Sequence, residues 1–257
     1  MRHALTLDRP PPPVTVGRPP TVGRFRLAHV GLASIHLAQA LLVLVVAADI
    51  VLPITHEVGA DAAQPLLDVS VGAVMAAFFV ASAVNHALSA TVLRRFYEAD
   101  LQAGRNRIRW AEFAVSAPML MLLIALYTGV TDVTALVVIG AATLVMVVCG
   151  WMQEALNPPG RRATTMVPFW SGVMAAMVPW AIVAGQLVGA KDHQDFVLSI
   201  FLSLFILWGS FGVNQWLQYH QIGPWSDYLY GEQTYLVLSL VAKSALAWQV
   251  IAGASLI

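Results

Sequence analysis

The chain has 257 residues, of which 58% are hydrophobic and 11% are charged, and its mean hydropathy is +0.72. These values lie well outside the range of soluble proteins and indicate a polytopic membrane protein, which excludes a large soluble domain. The formal net charge of zero gives no electrostatic support for nucleic-acid binding, and the single cysteine, Cys149, excludes an intrachain disulfide.

The first 26 residues are rich in proline and arginine and include the run DRPPPPVTVGRPPTVGRFR. They lack an apolar core followed by a small-residue cleavage site, so they do not resemble a signal peptide. We expect residues 1–26 to form a disordered cytoplasmic tail, followed by one transmembrane domain over residues 27–257.

Seven apolar stretches follow the tail, and each is close to the roughly 20 residues that cross a bilayer as a helix. They predict an all-α membrane protein, a seven-transmembrane-helix bundle with short connections and no inserted domain. The stretches lie near Leu27 to Val51, Leu66 to Leu93, Ile108 to Gly129, Val133 to Met152, Met166 to Ala190, Phe196 to Tyr219 and Gly231 to Ile257.

The arginines predict the orientation of the bundle. All twelve precede the first stretch or lie in or beside the second and fourth connections, whereas the first, third and fifth connections carry mostly acidic residues. Positively charged loops stay in the cytoplasm, so we expect a cytoplasmic N-terminus and an external C-terminus in a multi-pass protein of the cell membrane. The connection after the sixth stretch should also be cytoplasmic, although it has no lysine or arginine.

Lys243 lies in the middle of the last stretch, in the run SLVAKSALAWQV. At ~1.5 Å per helical residue it is roughly 18 Å from one end of the stretch and roughly 21 Å from the other. An ammonium at that depth costs about 2.5 to 3.5 kcal/mol, so it needs a partner or a chemical task. A desolvated lysine amine condenses with an aldehyde to form an imine; alternatively, Lys243 is an internal counter-ion of the bundle.

Glu112 is the natural partner for Lys243. In RIRWAEFAVSAPMLMLLIALYTG it is the acidic residue that follows Arg107 and Arg109, whose side chains we expect to reach the cytoplasmic interface. A buried carboxylate beside a protonated imine lowers the cost of both charges. The alternative is an interfacial glutamate paired with Arg109.

Further polar residues share the depth of this pair. Ser82, His86 and their neighbours in the second stretch recur at i, i+4 and i+7 on one helix face, and such a stripe must face protein or a cavity. We expect His36, His86 and Ser239 to form a polar pocket beside Lys243 and Glu112. Ordinary hydrogen bonding between helices is the alternative for these side chains.

Large aromatic side chains that could enclose a long apolar ligand are plentiful in the last four stretches. They are also frequent as interface anchors, so the pattern is weak. The candidates are Trp151, Trp170, Trp180, Phe205, Trp208, Phe211 and Trp216.

Seven helices with a mid-membrane lysine in the last and an acid on the third resemble a retinal-binding rhodopsin, and the inverted orientation resembles a heliorhodopsin. The specific motifs are RWAEF, SIHLAQ, SAVNHALSA and the long run WLQYHQIGPWSDYLYGEQTYLVLSLVAKSALAWQ. The resemblance covers essentially the whole chain beyond the tail, which is longer and richer in proline than the family leads us to expect.

The resemblance implies all-trans retinal bound to Lys243 as a protonated Schiff base, with Glu112 as counter-ion and Ser239 tuning the imine. It implies that His36 and His86 belong to the adjacent hydrogen-bonded cavity. We also expect Ser82, Ser116 and Trp208 to contribute to the retinal site. The family is further known for homodimers and for a slow photocycle without ion pumping.

The sequence itself supports a sensor that does not pump, because the third stretch has no second carboxylate until Asp132 at its far end. His36 and His86 could instead hold the proton within the pocket, since imidazole titrates near neutral pH. Three hypotheses remain: a photoreceptor with an unknown cytoplasmic partner, a light-driven or light-gated ion transporter, and a colourless transporter or scaffold with a Lys243–Glu112 ion pair. We expect no enzyme and no metal site, because neither a nucleophile with a base nor a close ligand spacing is present.

Overall fold

The computed structural model describes residues 19–47, 49–56, 62–159, 163–189 and 195–254. Within these ranges, seven helices are long and apolar enough to cross a membrane, as the sequence predicted. An eighth, short helix lies between the second and third of them. In chain order the helices are α1 (Pro19–Val46), α2 (Val71–Ala90), α3 (Arg94–Gln102), α4 (Arg107–Tyr127), α5 (Val133–Leu156), α6 (Val167–Gly189), α7 (Asp195–Tyr219) and α8 (Tyr228–Ala254).

The connection between α1 and α2 is a two-stranded antiparallel hairpin, so the prediction of an all-α chain is wrong in this part. Strand β1 (Val51–His56) pairs with β2 (Gln64–Ser70). The predicted second span wrongly took in Leu66 and Leu67, which are apolar but belong to β2. Helix α2 starts only after Ser70, whose side chain accepts a hydrogen bond from the Ala73 amide, as an N-cap does.

The hairpin is attached to the connection between α4 and α5. The Thr55 amide donates to the Thr131 carbonyl at 2.9 Å, and Thr55 forms a parallel bridge with Asp132. The end of the bundle that carries these residues is called the hairpin end below. The opposite end, where α1 starts and α3 lies, is called the arginine end.

Helix α1 begins at Pro19, inside the segment predicted as a tail. The rest of that tail, residues 1–18, lies outside the described residues, and so do Arg161, Arg162 and Lys191. The predictions made for those positions therefore concern parts of the chain that the structure does not describe.

The largest apolar core fills the hairpin half of the bundle. It joins residues from all seven long helices and extends to Ile50, Leu52 and Ile54 of the hairpin region. A smaller cluster at the arginine end consists of Phe25, Tyr97, Leu101, Tyr228 and Leu229. Polar buried groups are therefore concentrated between the middle of the bundle and its arginine end.

The short helix α3 buries one face against this smaller cluster and leaves its arginines at the surface. Its buried Asp100 accepts hydrogen bonds from Arg105 at 3.0 Å and from Arg107 at 2.8 Å. Burial alone would raise the pKa of Asp100, but the hydrogen bonds from Arg107 and Arg105 outweigh it and hold the pKa below its usual range. Asp100 thereby fixes the turn that leads into α4.

Candidate functional site

Lys243 is buried in α8, with 2% of its surface exposed. Its Nζ donates to Glu112 Oε1 at 2.8 Å and to Ser239 Oγ at 2.7 Å. Ser239 lies one helical turn before Lys243 on the same face, as its spacing predicted. The lysine therefore has a carboxylate from α4 and a hydroxyl from its own helix.

Glu112 gathers donors from three helices. Besides Lys243 of α8, the Ser82 hydroxyl of α2 donates to Glu112 Oε1 at 2.8 Å, and Ser116 of α4 also hydrogen-bonds to this carboxylate. Several hydrogen bonds to one carboxylate favour its charged form. Arg109, the alternative partner considered for Glu112, is paired elsewhere.

An apolar cavity of about 620 Å³ lies beside Lys243. Lys243 is the only charged side chain among the described residues that line it, and Ser116 and Ser239 also reach its wall. Six of the seven aromatic residues singled out in the sequence line the cavity, including the half-buried Trp208. The seventh, Trp151, is instead 45% exposed on the surface.

Close packing between α4 and α5 forms one wall of the cavity. The indole ring of Trp110 lies against Gly150, where an added Cβ would approach the ring carbons to 2.5 Å. Only a glycine at this position lets the ring reach that close. Trp208 closes another side and donates from Nε1 to Met146 Sδ at 3.3 Å.

Three buried histidines lie on the polar side of the ion pair, towards α1 and α2. His36 stacks on His86 with nearly parallel rings and a centroid distance of 5.5 Å. His29, which sequence reasoning missed, has its Nδ1 at 2.8 Å from Nδ1 of His86. Both His36 and His86 lie within electrostatic reach of Lys243.

The comparisons with known proteins agree with this geometry. A family model described as heliorhodopsin matches residues 25–255. The chain belongs to the heliorhodopsin family. A search of curated proteins finds no match to this heliorhodopsin.

Solved structures similar to this heliorhodopsin are microbial rhodopsins. One is a light-driven proton pump from Leptosphaeria maculans, with a TM-score of 0.65, 15% identity, and coverage of 95% of this chain and 98% of that one. Another is a thermophilic rhodopsin from Rubrobacter xylanophilus, with a TM-score of 0.60, 17% identity, and coverage of 90% and 95%. At these identities the likeness establishes the rhodopsin fold alone.

Family membership makes this heliorhodopsin a retinal-binding, light-responsive, multi-pass membrane protein, in a family that is generally non-enzymatic. The cavity fits such a group. Its volume lies within the usual range for sites that bury small ligands, its walls are apolar, and one primary amine stands at its polar end. Lys243 and the aromatic walls are thus the residues that would hold retinal.

A second buried ionic cluster lies at the arginine end of this heliorhodopsin and was not predicted. Arg109 pairs with Glu154 of α5 at 2.9 Å and with Glu232 of α8. The Trp110 indole donates to Glu154 at 2.7 Å, and the Asn106 side chain donates to Glu232 at 2.8 Å. The cluster joins α4, α5 and α8 at one depth.

Two sequence signals could have found the missed residues. His29 precedes His36 by seven residues, which places both on one face of α1. Glu154 and Glu232 each lie within about two turns of the arginine end of a span, at a depth close to that of Arg109. A comparison of the charged residues that lie at the same depth in all helices would have predicted the cluster.

Proposed function

We propose that this heliorhodopsin is a light sensor in which Lys243 carries all-trans retinal as a protonated Schiff base, with Glu112 as counter-ion. The observation that carries the proposal is the Lys243–Glu112 pair at the polar end of an apolar cavity of about 620 Å³. Retinal supplies an aldehyde that condenses with Nζ and a polyene that absorbs visible light and isomerises.

The side chains around Nζ have distinct tasks. Glu112 balances the positive charge at Nζ, and the hydroxyls of Ser82 and Ser116 keep its carboxylate in the charged form. Ser239 orients Nζ through the 2.7 Å hydrogen bond. The aromatic walls, with Trp110 and Trp208 among them, bind the apolar part of the ligand and exclude water from it.

A sensor is better supported than an ion transporter. Between Glu112 and the hairpin end, the buried residues of α4 are almost entirely apolar. Those of α2 that face them, including Met75, Phe78 and Phe79, are apolar too. Ions and protons crossing this half would have to leave water without polar partners, at a cost of several kcal/mol or more. The apolar residues of α4 are Leu120, Met121, Leu123, Ile124, Ala125 and Leu126.

We further propose a cytoplasmic N-terminus, a homodimer in the cell membrane and an output through an unknown cytoplasmic partner. The described arginines Arg24, Arg26, Arg94, Arg95 and Arg105 all lie at the arginine end, which supports that orientation. We expect the same arginines to interact with lipid headgroups as well. Movement of the helices at this end after isomerisation would change the surface offered to the partner.

The experiment is an absorption spectrum of the purified chain with and without all-trans retinal, repeated for Lys243→Ala and Lys243→Arg. Wild type should develop a visible band that depends on retinal, and both variants should remain colourless. Lys243→Arg is the sharper control, because it keeps a cation beside Glu112 but has no amine that condenses with an aldehyde. A folded wild-type protein without a visible band would contradict the proposal and favour a colourless ion-pair scaffold.

Light-induced currents separate the sensor from the transporter. Cells expressing the coloured protein should give no photocurrent and no light-driven pH change. A current that disappears in Lys243→Arg would make the protein a light-driven or light-gated ion carrier.

A further inference from the structure

We propose that His29 is the acceptor of the proton that leaves Nζ of Lys243 after light absorption, and that it holds this proton together with His86. The inference deepens the proposed function and rests on it. It assigns a role to a residue that sequence reasoning did not select, and it replaces the predicted pair of His36 and His86 as the proton site.

The geometry distinguishes the two histidine pairs. The rings of His36 and His86 are parallel within 6° at a centroid distance of 5.5 Å, so their in-plane N–H bonds do not point at each other. Their stacked contact gives no bond through which a proton could be shared. The Nδ1 atoms of His29 and His86, in contrast, are 2.8 Å apart, which is hydrogen-bond distance.

A hydrogen bond between two Nδ1 atoms constrains the tautomers of both rings. One ring must carry its hydrogen on Nδ1 and the other must accept there through its lone pair. With His29 as the donor, its Nε2 keeps a free lone pair. That Nε2 is buried and has no hydrogen-bond partner among the described residues.

A small cavity of about 20 Å³ connects His29 with the ion pair. Glu112 and Ser239, which both contact Nζ of Lys243, line this cavity together with His29 and Tyr97. Its volume is that of a site for about one water molecule, and its wall provides the several polar partners that such a water needs. In the proposed transfer, one water in this cavity would carry the proton from the side of Glu112 and Ser239 to His29.

The other ionisable groups in this wall are poorer acceptors. The Ser82 hydroxyl still donates to Glu112 after Nζ has lost its proton, which favours the charged carboxylate. Glu232 keeps its ion pair with Arg109. Burial raises the pKa of Tyr97 well above its usual range, so its phenol stays protonated and donates. The titratable and charged groups that face the His29–His86 pair from the surrounding helices are His36, Tyr97, Arg109, Glu112, Glu232 and Lys243.

The transfer conserves charge within the buried site. The N–H bond at Nζ breaks and its electron pair stays on that nitrogen, while a new N–H bond forms at Nε2 of His29. Before the step the positive charge is at Nζ, and after it the charge is an imidazolium shared by His29 and His86. Glu112 lines the small cavity together with His29, so the charge stays in the same buried region as this carboxylate.

The test compares wild type, His29→Gln and His29→Phe, each loaded with retinal, after a light flash. Loss of the proton from Nζ is followed as a shift of the absorption band to shorter wavelength. Both variants should retain the band in the dark but lose the proton about 10²-fold more slowly, as expected when a positioned base is removed. The matched control is His220→Asn, because His220 is exposed at the end of α7 and should leave the rate unchanged.

A second readout needs neither light nor retinal. Nitrogen NMR of the histidine-labelled protein should detect a scalar coupling between two imidazole nitrogens across the Nδ1–Nδ1 hydrogen bond. The coupling should vanish in His29→Gln and persist in His220→Asn. Its absence from folded wild-type protein would overturn the proposal.

The outcomes separate this inference from the proposed function. If wild type is colourless, the Schiff base on Lys243 is contradicted, and so is the acceptor role of His29. If wild type is coloured and both His29 variants have unchanged flash kinetics, only the acceptor role is contradicted. If His29→Phe does not fold, the flash kinetics of His29→Gln, which keeps a polar side chain, test the proposal. If neither variant folds, the test is whether folded wild type shows the NMR coupling, whose absence contradicts the proposal.

Discussion

At the scale of single residues, Glu112 sets the electrostatics of the site. Its carboxylate is buried and is held by Lys243, Ser82 and Ser116, so its charge is fixed in position rather than shared with solvent. A fixed negative charge near Nζ stabilises the ground state of a protonated imine more than a state in which the positive charge has spread along the polyene. As the proposed counter-ion, Glu112 would therefore control both the wavelength of the visible band and the pH range over which the band persists.

Replacing the charge without changing the shape tests this role. We expect Glu112→Gln to absorb at longer wavelength and to lose its visible band at a lower pH than wild type. The buried cation loses a partner worth about 3 to 5 kcal/mol. Absorption spectra over a pH series measure both effects, and Glu98→Gln, on the partly exposed Arg94–Glu98 pair of α3, is the control. A spectrum identical to that of wild type would remove Glu112 as counter-ion.

Asp100, at the arginine end, makes the free energy of unfolding depend on pH. Its pKa in the folded protein lies below the ordinary value of about 3.9, so it stabilises the fold above that pH, and the effect is lost as pH falls through the folded value. We expect Asp100→Asn to be less stable than wild type near pH 7 by about 1 kcal/mol, because both arginine partners are half exposed.

Unfolding midpoints of wild type and Asp100→Asn, measured side by side from neutral to acidic pH, check this expectation. The gap between them should begin to narrow below about pH 4 and close as the pH falls through the lower pKa of folded Asp100, where the carboxyl is protonated in both states. A gap that stays constant with pH would mean that Asp100 contributes through packing rather than charge.

At the scale of helices, the cluster around Arg109 joins α4, α5 and α8 in the buried interior. Removing the arginine leaves Glu154 and Glu232 as two buried carboxylates without a cation. We expect Arg109→Gln to lower the free energy of unfolding by about 3 to 5 kcal/mol. Arg94→Gln, at a partly exposed pair within α3, should cost no more than about 0.5 kcal/mol.

Denaturant titrations in detergent, followed by loss of the visible band or of helical circular dichroism, compare the two variants. Equal losses in Arg109→Gln and Arg94→Gln would show that the buried cluster contributes no more than a surface pair. Retention of helical signal with loss of the band would localise the damage to the cavity wall at Trp110, which bonds to Glu154.

Helices and hairpin differ in how far the sequence could predict them. The seven spans follow from long apolar stretches, a signal that needs no knowledge of the neighbours. The hairpin could not be separated from α2 in this way, because Leu66 and Leu67 continue the apolar pattern and Asp68 alone interrupts it. Pro53 and the β-branched residues of β1 were a signal for extended structure that length and hydropathy concealed.

The contacts within the site also differ in how far the sequence could predict them. The proximity of Lys243 and Glu112 was predictable, because two unlike charges at similar depth in a bilayer have few other partners. The choice of Glu154 and Glu232 for Arg109 was not, since it depends on which helices are neighbours. The contact between His29 and His86 depends in addition on ring orientation, which no sequence pattern specifies.

At the scale of the whole molecule, the charge distribution predicts orientation in the membrane. In a Cys149→Ser background, we expect Gln64→Cys in the hairpin to react with a membrane-impermeant maleimide on intact cells. Arg95→Cys in α3 should react only after lysis if the arginine end faces the cytoplasm, as proposed. Both introduced cysteines replace exposed residues. The reverse labelling pattern would invert the proposed topology and expose the partner surface to the outside.

Two ion pairs join α4 to α8, one at Arg109 and Glu232 and the other at Glu112 and Lys243. They have different environments: the first has hydrogen bonds from Asn106 and a third charge from Glu154, whereas the second depends on a cation that chemistry at Nζ can remove. If the proposed chemistry at Nζ weakens the second pair, the first would still hold the start of α8 against α4. The helix would then tilt about that point and would not separate from α4.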